Sequence, residues 1–233
     1  MYKIKIFSDF CTSEKCKINF EKVFDAEIYD FYGENKQIYI TTQDEYTHAI
    51  ILNTTMPELT IPKENVIGLA FEPRELLDLT EDFINYARIH IGKYLIGRKD
   101  NLPDLFIEHY SFMWHNNPKK SIPLRHKTKK MSIVFSDKNL APGHLYRKSL
   151  VSAILYEKLP IDIYGYGCRL IKNRNEYENV KGRFDNTEPY EEYLFSICIE
   201  NYQSNDYISE KILNPLYHNF LFYHKNLVIL LLE

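Results

Sequence analysis

Short apolar runs separated by polar, amphipathic stretches constrain this chain more than any other feature. HAIIL at 48–52, VIGLAF at 66–71, MSIVF at 131–135, IDIY at 161–164 and YLFSICI at 193–199 are each four to seven residues long. That is strand length, and a continuous apolar run is what a strand covered on both faces looks like. YKIKIF at 2–7 alternates polar and apolar residues, as a half-buried strand does. Between the runs lie helical spacings: Ile18, Phe20, Val23 and Phe24; Leu76, Leu77, Phe83 and Ile84; Leu150, Val151, Ile154 and Leu155; and residues 209–216. Pro73 fits the first turn of the second of these helices. Residues 136–144, with Pro142 and Gly143, read as a polar loop, and Tyr94–Ile96 as a further strand. Strand and helix alternate in both halves, which predicts an α/β protein with parallel sheets and crossover helices.

The basic segment KKSIPLRHKTKK at 119–130 interrupts this pattern. It has no periodicity and carries a proline. It reads as a solvated linker or as a phosphate-facing loop, and on either reading it marks a domain boundary. We place the domains at 1–125 and 126–233.

Over its 233 residues the chain carries 29 Lys and Arg against 32 Asp and Glu, a net charge of −3. A general nucleic-acid binder is usually basic, so no nucleic-acid partner is expected. The longest aliphatic run, 227–232, has six residues, whereas a spanning helix needs ~20. The N-terminus lacks the apolar core of a signal peptide. We therefore expect no transmembrane segment and a cytoplasmic location. The four cysteines, Cys11, Cys16, Cys168 and Cys198, form no CxxC pair and match no zinc pattern. No phosphate-binding P-loop, GxGxxG, HExxH or GxSxG motif is present.

Four clusters could carry chemistry. Residues 200–211 (ENYQSNDYISEK) lie between an apolar strand and a helix start, where open α/β sheets bind ligands. A helix N-terminus with Lys211 beside it favours an anion, and Glu210 could accept sugar hydroxyls. Asp206 or Ser209 as a simple helix cap explains the same residues one by one. GHLYR at 143–147 brings Arg147 to a second strand–helix junction, where a guanidinium can grip a diphosphate or lie on a helix surface. Phe71-Glu72-Pro73 places a carboxylate at a strand end, as a general base or as a first-turn helix acid. HYSFMWH at 109–115 has histidines six apart, a poor spacing for metal ligation, and reads as core or cleft-wall aromatics.

Residues 193–216, YLFSICIENYQSNDYISEKILNPL, resemble the signature of the α1,3-fucosyltransferases, glycosyltransferase family ten. The likeness rests on Ile199-Glu200-Asn201 and on Asp206-Tyr207-Ile208-Ser209-Glu210-Lys211-Ile212. SDKN with GHLYRKSL, and IDIYGYG, look like the strand–loop–Arg helix and following strand of that family. GLAFEP and HYSFMWHN are similar to weaker features of its acceptor half. The resemblance implies a GT-B-like fold, two Rossmann-like lobes with the active site between them. It implies transfer of fucose from GDP-fucose to a sugar hydroxyl of a glycan acceptor, with inversion and without a metal or other cofactor. On this sequence Arg147 and Lys211 would neutralise the leaving diphosphate. Asn201, Tyr207 and Glu210 would hold the rest of the donor. Glu72 would be the general base, although the family more often has Asn where Pro73 follows it here.

After the 209–216 helix the family continues with an I-P-x-x-x-G-like segment and further elements. This chain instead reads HNFLFYHKNLVILLLE at 218–233. The resemblance therefore predicts a second lobe that is incomplete, truncated or frame-shifted at its C-terminal end. The alternatives are an inactive remnant or binding module, or a glycosyltransferase that uses another nucleotide sugar.

Overall fold

The computed structural model describes residues 1–23, 31–32, 35–110, 127–185, 187–204 and 206–215. The chain divides into two compact units. One is Met1–Asn117 with Gln203–Ser209, and the other is Pro118–Tyr202 with Glu210–Glu233. The boundary expected at 125/126 falls in residues 111–126, outside the described residues, as does most of the basic segment. So do Ser111–His115 of the aromatic cluster and the apolar tail from 216 onward.

In the first unit the elements are β1 (Tyr2–Phe7), α1 (Ser13–Val23), β2 (Ile38–Thr41), β3 (His48–Leu52), β4 (Val66–Leu69), α2 (Glu81–His90), β5 (Lys93–Ile96) and β6 (Phe106–Glu108). They form one six-stranded sheet in the order β2-β1-β3-β4-β5-β6, parallel at every pairing. Strand period two sorts the residues of β3. Ala49 and Ile51 join a core with Val66, Phe83, Ala87, Tyr94 and Phe106, whereas Leu52 joins Ile6, Cys16, Ile40 and Phe71. Helix α2 supplies Phe83 and Ala87 to the first core, and α1 supplies Cys16 and Phe20 to the second. Both faces of β3 are thus covered, which is why it reads as an unbroken apolar run.

The second unit contains β7 (Lys129–Val134), α3 (Pro142–Tyr156), β8 (Asp162–Tyr164), β9 (Val180–Gly182), α4 (Glu188–Glu191), β10 (Tyr193–Ile197) and α5 (Glu210–Pro215). Its sheet runs β10-β7-β8-β9, again parallel throughout. Ile133, Phe135, Val151, Ile154, Ile163 and Cys168 make its core. Two α/β units with parallel sheets agree with the expected fold class of the GT-B-like, Rossmann type.

Two helix starts differ from expectation. The helix read from Pro73 begins at Glu81, because Thr80 accepts the Phe83 amide at 3.2 Å and so fixes the first turn there. Residues 74–76 make only a single 3-10 turn. In the second unit α3 starts at Pro142, inside the segment read as a loop, since proline costs nothing in a first helical turn. No helix among the described residues is long and apolar enough to cross a membrane.

Tyr94 is fully buried between Phe83 and Phe106, and its hydroxyl donates to the Asn53 carbonyl at 2.7 Å. Tyr94→Phe keeps the ring and leaves that carbonyl without its donor. It should lower unfolding stability by about 1–3 kcal/mol, the cost of a buried unsatisfied group. Urea unfolding followed by circular dichroism measures this, and a change under about 0.5 kcal/mol would contradict it.

Candidate functional site

Where strand order reverses in a parallel sheet, the connections leaving two neighbouring strands diverge to opposite faces and open a crevice at their carboxyl ends. Each unit has one such place. In the first it lies between β1 and β3, because β2 is on one side of β1 and β3 to β6 are on the other. In the second it lies between β10 and β7.

At the first reversal the strand ends are tied by Asn53. This residue follows β3 with φ 51°, a left-handed conformation that asparagine tolerates better than most residues. Its Nδ2 donates to Asp9 Oδ1 after β1 at 3.3 Å, and its Oδ1 accepts the Phe71 amide after β4 at 2.9 Å. The buried Asn53 thus joins the ends of three adjacent strands and fixes the backbone immediately before Glu72. Glu72 itself is half-buried. The Tyr207 hydroxyl donates to Glu72 Oε2 at 3.4 Å, and both residues belong to the first unit. Two residues expected in different roles, one for the acceptor and one for the donor, are therefore neighbours. Asn53 was not singled out from the sequence. An asparagine closing an apolar strand was the available signal.

At the second reversal the start of α3 abuts the segment that leaves β10. The Gly143 amide donates to the Asn201 carbonyl at 2.9 Å, and a Cβ on Gly143 would collide with the Glu200 carbonyl oxygen. Arg147, one turn further along α3, is buried. Its Nη1 donates to the Ile199 carbonyl and its Nη2 to Asn201 Oδ1, the latter at 2.7 Å. The structure thus brings Arg147 and Asn201 into direct contact. Lys211, on α5, is ion-paired with Glu210 at 2.9 Å and lies 4.0 Å from Glu200 Oε2.

His144 belongs to this cluster, although the sequence did not single it out. It is buried, and its Nδ1 accepts the Ala141 amide at 3.1 Å, closing the first turn of α3. An accepting Nδ1 assigns the proton of the neutral ring to Nε2. Burial holds the His144 pKa below its ordinary value, and the charges of Arg147, Lys138 and Lys211 push it the same way. Burial is the larger cause, and the three cations lie near enough to act on a ring at the N-terminal end of a 15-residue helix. Helix dipole and side-chain charge act together there, as an anion-binding site requires. Ser136, just beyond β7, has a buried Oγ without a hydrogen-bond partner among the described residues.

The pKa shift sets a pH dependence. The unfolded chain takes up the imidazole proton around pH 6.5, whereas the folded chain resists it to lower pH. Stability should therefore fall as pH drops below about 7 and level off below the folded-state value. In His144→Asn the amide oxygen can replace Nδ1 as acceptor for Ala141, and no proton is taken up. The loss of stability between about pH 8 and pH 5 should be smaller in this variant than in the native chain. Denaturant midpoints at the two pH values measure it, and an equal loss in both proteins would exclude the effect.

Residues 124–221 match the family model described as glycosyltransferase family 10 (fucosyltransferase) C-terminal domain. This stretch holds β7 to β10, α3 and the whole second-unit cluster of Gly143, His144, Arg147, Asn201, Glu210 and Lys211. No curated protein matches the chain.

Proposed function

From residues 124–221, which carry the C-terminal segment of glycosyltransferase family 10, we propose that the chain is a fucosyltransferase that uses GDP-fucose and a glycan hydroxyl. The family match is the observation that carries this reading. The positive cluster at the β10/β7 reversal agrees with it, because a nucleoside diphosphate is both the donor's binding handle and its leaving group.

In the proposed reaction the acceptor hydroxyl oxygen attacks the anomeric carbon of fucose from the face opposite the diphosphate, so the centre inverts. The bond from that carbon to the β-phosphate oxygen breaks, and the electron pair leaves on GDP. Glu72 takes the hydroxyl proton. Its carboxylate accepts a hydrogen bond from the Tyr207 hydroxyl, which orients it. Arg147 and Lys211 stabilise the charge that develops on the diphosphate, the task a divalent ion performs in metal-dependent transferases. Asn201 and Glu210 hold the remainder of the donor, with Tyr207 the third such residue. Arg147 already braces the 199–201 backbone through Ile199 and Asn201. Its role in this scheme is therefore double, to shape the donor loop and to charge it.

Titration calorimetry should show tighter binding of GDP than of UDP or ADP, unchanged by EDTA. Lys211→Ala should weaken GDP binding by about 1.5–3 kcal/mol, the scale for a hydrogen bond to a charged group. Arg147→Ala should weaken it too, and should also lower the melting temperature because Arg147 is part of the loop's own structure. Tighter binding of UDP would favour a transferase for a different nucleotide sugar. A requirement for manganese would remove the metal-free scheme.

Glu72 can be tested separately. Glu72→Gln keeps the Tyr207 contact and removes the base. Turnover of GDP-fucose should fall by ~10² or more, the range for loss of general-base catalysis, while GDP affinity stays nearly unchanged. Full turnover in the variant would assign the proton to another acid.

A further inference from the structure

The β1–α1 connection at the first strand reversal holds two thiols side by side. Cys11 lies in the turn after β1, Cys16 lies in the first turns of α1, and their Sγ atoms are 3.0 Å apart. Cys16 is fully buried in the core with Ile6, Ile40, Leu52 and Phe71, whereas Cys11 is half-buried and packs at the edge of the same cluster. The turn between them is fixed from several sides. The Ser8 hydroxyl accepts the Phe10 and Cys11 amides at 3.2 and 3.3 Å. The Cys16 amide donates to the Thr12 carbonyl at 2.9 Å, and the Ser13 hydroxyl donates to the Ile6 carbonyl at 2.6 Å.

A disulfide needs its two sulfurs ~2 Å apart. These sulfurs are already close, held by a backbone that is ordered for other reasons. No metal-ligand set draws them together, since no group of three or more His, Cys, Asp or Glu side chains suited to a metal exists among the described residues. We propose that Cys11 and Cys16 form a reversible intrachain disulfide, a redox modification site on the first unit.

The chemistry divides between the two positions by exposure. The Cys11 thiolate, the accessible one, attacks a small disulfide such as glutathione disulfide, forms a mixed disulfide and expels one glutathione thiolate. Cys16 then loses its proton and attacks the Cys11 sulfur, and the second glutathione thiolate leaves. Two protein thiols are oxidised to one disulfide, and one glutathione disulfide is reduced to two thiols. Burial, the neighbouring Cys11 and the Glu14 carboxylate push the Cys16 thiol up to about 12. The second step is therefore the slow one, and it speeds up as pH rises.

The position gives the modification a reach beyond the turn. Phe10, next to Cys11, packs against Phe71 with ring centroids 6.0 Å apart, and Phe71 precedes Glu72. The disulfide would tie the start of α1 to the turn that bears on this segment.

Mass spectrometry of the full chain decides the matter. The protein is equilibrated in glutathione buffers of increasing disulfide content, remaining thiols are blocked, and trypsin is added. Lys15 lies between the two cysteines, so cleavage leaves two peptides joined only by the Cys11–Cys16 bond. The expected result is this linked pair, released by dithiothreitol, with the linked fraction at a given buffer at least about tenfold higher in native protein than in urea, because the fold holds the thiols in place. Cys11→Ser, at the half-buried position, should melt as the native chain does and yield no linked pair. Persistent glutathione on Cys11 without closure would overturn the proposal. So would an equal linked fraction in urea, or bonds from these cysteines to Cys168 or Cys198 in place of the pair.

Discussion

A parallel neighbour cannot be reached by a tight turn, so each connection in these sheets must travel back over one face before the next strand begins. Every described pairing in the chain is parallel. All strands of a sheet therefore end on the same side, and the residues just beyond them accumulate there. Asp9, Asn53 and Phe71 meet on one such edge, and Gly143, Arg147 and Asn201 on the other. The polar clusters are consequences of strand direction, and the cores beneath them keep that direction in place.

The two edges solve the problem of exposed strand ends differently. In the first unit a single neutral side chain, Asn53, satisfies groups from two adjacent loops while its own carbonyl accepts Tyr94. In the second unit a buried cation does the equivalent work, with Arg147 donating to the Ile199 carbonyl and to Asn201. Burying a guanidinium is costly unless its donors are used. An arginine kept there, with Lys138 and Lys211 contributing to the same potential, leaves a region that an anion would stabilise. Charge at this site is thus partly structural, and the proposed donor chemistry makes use of a potential the fold already carries.

Much of this was legible in the residues. The strands with two covered faces announce themselves as HAIIL, VIGLAF and MSIVF, since no other use of such short apolar runs is as economical. Strands β2, β6 and β9 were not read, and β6 (FIE) and β9 (VKG) hold no apolar run longer than two residues. The start of α2 was misplaced because Pro73 and Thr80 both carry helix-start signals, and only the Phe83 amide distinguishes them. Arg147 and Asn201 were each singled out from sequence, yet their mutual bond depends on the register of α3 against β10. The approach of Tyr207 to Glu72, 135 residues away, could not be read from any local pattern.

Gly143 carries a last consequence. The backbone of α3 and the backbone of Glu200-Asn201 touch there without an intervening side chain, and one added methyl group would strike a carbonyl oxygen. The two segments consequently behave as one mechanical part, although Gly143 and Glu200 are 57 positions apart in the sequence. A change in either surface is felt at the other. Substitutions at 143 and at 200–201 should thus be strongly non-additive, unlike those at distant independent positions. A position with no chemistry of its own would then set the tolerance of residues that have it.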